Sequence, residues 1–64
     1  MNLNCIKIEE VRVRQGLNQK ELANKAGLSR QWLSVILLRG SATTEAAIKI
    51  ADALEVPLQE ILEG

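Results

Sequence analysis

The chain is poor in the side chains that most often carry chemistry. It has no histidine, tyrosine or phenylalanine, and only one cysteine and one tryptophan. Without histidine or paired cysteines the ligands for a zinc site are missing, and one cysteine cannot form an intramolecular disulfide. No glycine-rich phosphate loop is visible, and the pattern buries no pair of acids. We therefore expect neither an enzyme nor a protein that holds a metal or a cofactor.

Other absences limit the size and the environment of the fold. The 64 residues make one domain at most, near the lower limit for an independent core, and we treat 1–64 as that domain. No apolar run is long enough to span a membrane, and no signal-peptide pattern is visible. The single Cys5 fits a reducing cytoplasm. Its helical spacing from Ile8 indicates a small core residue rather than a reactive thiol.

Charge is balanced over the whole chain but unevenly distributed along it. Residues 1–40 hold seven Lys or Arg and three acids, a net of +4, whereas residues 41–64 hold one Lys and five acids, a net of −4. Chance segregation in a short chain is one explanation. The functional alternative is a cationic face toward a polyanion, with an acidic side kept away from it.

Residues 18–38 form the most informative stretch, and they predict two short helices joined by a tight turn. Asn18 is the expected N-cap of the first helix, and Glu21 completes a capping box with it. Gly27 can adopt the left-handed conformation that ends a helix without strain. Ser29 is the expected N-cap of the second helix.

The spacing of small and aliphatic residues in this stretch is typical of a helix-turn-helix. Ala23 must be small if the second helix is to cross closely over the first, and Gly27 follows where the chain turns. Leu33 and Ile36 then hold the second helix against the first. The opposite side of the second helix is thereby lifted into solvent. That side carries Arg30, Gln31, Ser34 and Val35.

The remainder of the chain predicts three further helices and no strand. After a loose start at residues 1–4, a first helix is expected over about 5–15, and Gly16 ends it. Thr43 or Thr44 caps a fourth helix that runs to about residue 54. Pro57 suits the first turn of a last short helix. The fold class is therefore all-α: a compact bundle of five short helices with a helix-turn-helix at the second and third.

Five motifs follow one another along the chain. They are R-x-x-x-G-L-N-Q from Arg12, E-L-A-x-K-x-G from Glu21, S-R-Q-x-L-S from Ser29, Arg39-Gly40, and K-I-A-D-A-L-x-V-P-L-x-E-I-L from Lys49. In this order and at this spacing, the chain resembles the phage-repressor (Cro / lambda-repressor / Xre) helix-turn-helix domains over nearly its whole length. The fold that the resemblance implies is a lambda-repressor-like five-helix domain.

The resemblance implies a transcriptional regulator, expected to be a repressor, that binds double-stranded DNA sequence-specifically. In the family the third helix enters the major groove, and the start of the second abuts the phosphate backbone. Carried over by position, Gln19 is expected to meet a phosphate. The residues on base-reading positions are Arg30, Gln31, Ser34 and Val35. The residues where the family's loop touches phosphate are Arg39 and Ser41.

The side-chain chemistry at these positions suits DNA. An arginine fork fits guanine O6 and N7, and a glutamine can pair with adenine N6 and N7. Val35 can pack on a thymine methyl. Arg30 either reads a base or holds a phosphate, since it lies in the first turn of its helix.

The chain departs from the family pattern near the end of the third helix. Leu37 or Leu38 occupies the place of a glutamate that often pairs with the arginine of the first helix. We expect Arg12 to turn to a phosphate or to a local acid such as Glu9. The segment over 36–40 is about one residue longer than usual, and the loop to the fourth helix is shorter. This difference can shift Leu38, Arg39 and Ser41 by about one position relative to the family pattern.

Two apolar residues have alternative roles. Trp32 is either a partly buried anchor between the third and fourth helices or an edge-exposed ring that touches the sugar-phosphate backbone. Leu38 is either core in a lengthened helix or an exposed residue that marks a contact surface.

The expected assembly is a homodimer through the C-terminal helix, reading two half-sites about 34 Å apart. Leu58, Ile61 and Leu62 can serve the core, the dimer contact, or both. The alternative function is an antitoxin-like or adaptor module whose main partner is a protein. The acidic residues of 41–64 and an exposed Leu38 would favour that alternative.

Overall fold

A computed structural model of the chain describes residues 1–63, so the predicted boundary at Gly64 lies outside them. It contains α1 (Cys5–Arg14), α2 (Gln19–Ala26), α3 (Arg30–Arg39), α4 (Thr44–Leu54) and a short 3-10 helix (Leu58–Ile61). The predicted all-α class is confirmed, with the helix-turn-helix at α2 and α3. The last of the five predicted helices is a single 3-10 turn, because the chain becomes extended at Leu62, which pairs with Leu3.

Each α-helix begins at a polar side chain that caps it. The carboxamide oxygen of Asn18 accepts from the Glu21 N–H at 2.8 Å, and the Glu21 carboxylate accepts from the Asn18 N–H at 3.0 Å. This is the predicted capping box. Asn4, Ser29 and Thr43 cap α1, α3 and α4 through their side-chain oxygens. The helix starts are therefore determined by local sequence.

Glycines in the left-handed conformation end α2 and α3. Gly27 has φ +71°, and its N–H donates to the carbonyls of Ala23 and Asn24. The next N–H, that of Leu28, also donates to the Ala23 carbonyl, at 2.9 Å. Gly40 ends α3 in the same conformation, with φ +74°. A side chain with a Cβ adopts this conformation at a cost, whereas glycine does not.

The core is aliphatic and draws on every helix. α4 packs against both α2 and the 3-10 helix, and α2 also packs against α3. Ala23 of α2 is 1% exposed. The largest fully buried side chains are Leu3, Ile8, Leu22, Leu33, Ile36, Ile50, Leu54 and Ile61.

The expectation of a loose start at residues 1–4 is wrong. Leu3 is buried, and its N–H donates to the Gly40 carbonyl at 2.8 Å. The Asn4 N–H donates to the Ile61 carbonyl at 2.8 Å. The extended N-terminal segment therefore lies between the loop after α3 and the end of the 3-10 helix. Burial of the Leu3 side chain and pairing of its backbone hold it there.

Arg12 binds Glu9, which was one of the two alternatives predicted for it. Its guanidinium donates to both carboxylate oxygens of Glu9, at 3.2 and 2.6 Å, and to the Leu17 carbonyl at 2.6 Å. The hydrogen bond to Glu9 raises the pKa of Arg12 above its usual value. This arginine ties α1 to the turn before α2.

Cys5 is partly buried against the core, as predicted. Its Sγ lies 3.4 Å from the Leu37 carbonyl oxygen, to which the thiol donates. Burial, aided by Glu9 and Glu63, raises the pKa of the Cys5 thiol. Since the thiolate is the reactive form, this environment disfavours reactivity.

Replacement of Ala23, the small residue predicted to let α3 cross closely over α2, tests the packing of these two helices. Ala23→Leu should lower the free energy of unfolding by about 1–3 kcal/mol, because the added carbons have no space in a packed core. Asn24→Leu places the same side chain on the exposed neighbouring position and should change stability by less than about 0.5 kcal/mol. Urea unfolding measures both. Equal effects of the two substitutions on the free energy of unfolding would show that the packing of α2 against α3 does not require a small side chain at Ala23.

Candidate nucleic-acid interface

α3 turns one face into the core and the opposite face into solvent. Leu33 and Ile36 are 0% and 1% exposed. Successive helical residues are about 100° apart, so Gln31, Ser34 and Leu38 point away from those two. All three are exposed. We call the side of α3 that carries Gln31, Ser34, Val35 and Leu38 the outward face.

The predicted DNA-contacting residues lie on three consecutive segments of the chain. Gln19 is the first residue of α2, and Ser41 follows Gly40 in the loop after α3. The others belong to α3: Arg30, Gln31, Ser34, Val35 and Arg39. Gln19, Val35 and Ser41 are partly buried, and the rest are exposed. None lies in the core.

Arg39 was expected in the loop after α3, and this is wrong. It is the last residue of the helix, because the left-handed residue that ends α3 is Gly40. Ser41 pairs with Asn2 in an antiparallel bridge. The segment predicted to be lengthened is therefore helical as far as Arg39.

The two apolar residues with open roles differ in exposure. Leu38 is 90% exposed, so it is the exposed alternative and not core. Trp32 is 43% exposed: more than half of the side chain is covered, and the remainder is open to solvent. Trp32 therefore lies at the surface and is partly covered by the rest of the protein.

The basic side chains divide into two sets by ion pairing. Lys7, Arg12 and Arg14 pair with acids of α1, and Lys49 pairs with Glu45 on α4. Within residues 1–63 the other four have no acid at salt-bridge distance. These four are Lys20, Lys25, Arg30 and Arg39, and all lie on α2 or α3. An anion can approach the helix-turn-helix without displacing a carboxylate.

Most of the unpaired acids lie elsewhere. The exception is Glu21 of α2, whose carboxylate accepts from the Asn18 N–H. Four acids follow the middle of α4 and are exposed, with no basic partner in the described part of the chain: Asp52, Glu55, Glu60 and Glu63. The charge separation along the sequence thus corresponds to different structural elements. Local ion pairs neutralise the start of α4 and leave α1 with a net charge of +1. The four cations and the one acid of α2 and α3 leave those two helices with a net charge of +3.

A family model described as helix-turn-helix matches residues 8–61. The chain belongs to the phage-repressor-like helix-turn-helix family. As a member of this family it is a DNA-binding regulator, and the family is not one of enzymes. A comparison with curated proteins found no match. None of the helices described for this helix-turn-helix protein has the length and apolarity needed to cross a bilayer.

Removal of an unpaired cation should weaken DNA binding without regard to sequence. Arg39→Ala is expected to reduce affinity for every duplex to a similar extent, and to lower the slope of log affinity against log salt by about 1, because one counterion fewer is released. Fluorescence anisotropy at several salt concentrations measures this. The matched control is Arg14→Ala, since Arg14 pairs with Glu10 at 2.8 Å. A salt slope unchanged by Arg39→Ala would contradict a phosphate contact.

Proposed function

We propose that the protein is a sequence-specific transcriptional regulator, a repressor, that reads the major groove of double-stranded DNA with α3. The observation that supports this most is the exposure of a polar helix face between unpaired cations. Gln31 and Ser34 are exposed opposite the buried Leu33 and Ile36. A major groove admits one α-helix, and its base edges present hydrogen-bonding groups to such a face.

The chemistry of the outward face matches base edges. Gln31 reads an adenine through its carboxamide, and Ser34 donates to or accepts from either base of a pair. Val35 keeps part of its side chain open to solvent and packs on a thymine methyl. Arg30, in the first turn of α3, reads a guanine or holds the adjacent phosphate.

The start of α2 serves as a phosphate contact in this proposal. The capping box uses the N–H groups of Asn18 and Glu21. The N–H groups of Gln19 and Lys20 have no carbonyl partner within the described residues. With the Gln19 side chain and the Lys20 ammonium they can hold one phosphate oxygen, aided by the positive end of the helix dipole.

The loop after α3 is proposed as the second phosphate contact. Gly40 accepts from the Leu3 N–H at 2.8 Å, and the Ala42 N–H donates to the Met1 carbonyl at 3.0 Å. Ser41 lies between these two hydrogen bonds. Its backbone is therefore held in position before DNA binds, which reduces the entropy lost on binding.

Two copies are proposed to act together through their C-terminal segments. One copy contacts too few bases for high specificity, and a symmetric pair reads two half-sites about 34 Å apart. Ile61 is fully buried and belongs to the core, whereas Leu58 and Leu62 are only partly buried and keep apolar surface for a second copy.

The protein-partner alternative receives less support than DNA binding. The exposed Leu38, one of the two features behind it, lies on the outward face of α3 beside the unpaired Arg39. A face with excess positive charge is better suited to a polyanion than to an average protein surface. The acidic residues after the middle of α4 remain the feature that fits a protein partner.

Gln31→Ala should reduce affinity selectively. Selection from random duplexes first identifies the preferred site. On that site the substitution is expected to cost about 1–3 kcal/mol of binding free energy and to relax base choice at one position, because a bidentate contact is lost. Binding to random duplex should change little. Competition assays at fixed salt compare the two duplexes.

The control for this experiment is Asn24→Ala, which removes an exposed carboxamide from α2 that the proposal places neither against DNA nor in the dimer contact. It should leave both affinities unchanged. Equal losses on preferred and random duplex in the Gln31 variant would exclude base reading by this residue.

A further inference from the structure

Leu38 is the most exposed of the large apolar side chains. It is 90% exposed, and the next is Ile6 of α1, at 82%. Ile36, two residues earlier, is almost fully buried and packs α3 against the core, whereas the exposed Leu38 contributes little to this packing. A leucine in this position adds nothing to the core and raises the question of what covers it.

The position of Leu38 on α3 aligns it with the proposed base-reading residues. Seven residues, or nearly two helical turns, separate it from Gln31, so the two side chains project in nearly the same direction. Ser34 lies between them on the same face. The distance between Gln31 and Leu38 along the helix axis is about 10 Å. That distance corresponds to about three base pairs of duplex.

The charge around Leu38 indicates what its partner is. Arg39 is the next residue, and Arg30 lies at the other end of α3. Neither arginine has an acid partner in the part of the chain that the structure describes. Unpaired cations on both sides favour a polyanion over a second protein surface. Within a DNA major groove the one apolar group on the base edges is the thymine C5-methyl.

We propose that Leu38 is a further specificity-determining residue, which packs on a thymine methyl about three base pairs from the base that Gln31 reads. This rests on the proposed function, since it requires α3 to lie in the major groove. The outward face then spans two helical turns and reads both polar and apolar features of the site. The leucine is exposed only while DNA is absent.

The test removes the apolar group from each partner: the C5-methyl from thymine, and the isopropyl group from Leu38. Starting from the duplex preferred by the unaltered protein, each thymine is replaced in turn by uracil, which lacks only the C5-methyl. At one thymine, about three base pairs from the position relaxed by Gln31→Ala, uracil should weaken binding about 5- to 10-fold, because apolar contact is lost. The same replacement should have no effect on Leu38→Ala binding, and Leu38→Ala should itself weaken binding to the thymine duplex to a similar extent.

The matched control is Ile6→Ala, which truncates the second most exposed large apolar side chain, on α1. It should respond to every uracil as the unaltered protein does. Both positions are exposed, so neither substitution should prevent folding, and circular dichroism checks this.

Three results would overturn the inference. In the first, the Leu38→Ala variant binds every duplex as tightly as the unaltered protein. In the second, the variant loses affinity equally for thymine, uracil and random duplexes. In the third, its loss of DNA affinity is explained by reduced self-association, measured by sedimentation. If the unaltered protein prefers no duplex over random DNA, the proposed function fails as well. If it is selective but no uracil effect depends on Leu38, only this inference fails.

Discussion

The packing of α2 against α3 determines which side of α3 faces solvent. α3 carries apolar residues on both sides, so its own hydrophobic pattern does not decide which one is buried. Gly27, with φ +71°, reverses the chain at a defined angle. Ala23 of α2 and Leu33 and Ile36 of α3 are all nearly fully buried, which places one side of α3 in the core. The outward orientation of the proposed base-reading residues and of Leu38 follows from this packing.

The ion pairs described for residues 1–63 lie on α1 and α4, so the four cations of α2 and α3 remain unpaired. Pairs at i,i+3 and i,i+4 on α1 and α4 bring little stability, because they are solvent-exposed. They do decide which cations remain available to an anion. A chain with a net charge of zero can therefore present a cationic surface. For the same reason total charge is a poor guide to nucleic-acid binding in a domain of this size.

Features with a local cause could be predicted from the sequence, and features with a long-range cause could not. The capping box at Asn18 and the turn at Gly27 each depend on a few neighbouring residues, and both are found as expected. Leu3 has no periodic neighbours to indicate burial, and its partners, Gly40 and Ile61, are distant in sequence. The outward orientation of the polar side of α3 followed from spacing, but the exposure of Leu38 did not. Four consecutive aliphatic residues, 35–38, do not indicate which of them faces out.

The most direct test of the central claim is to find which surface of the protein meets DNA. Titration of isotopically labelled protein with its selected duplex, followed by amide and methyl chemical shifts, gives this residue by residue. We expect the largest changes along the outward face of α3, at Gln19 and over residues 40–41, with small changes at Ile6 and Val13 on the exposed side of α1. Changes centred on α1 or on the 3-10 helix, with α3 unperturbed, would contradict the claim.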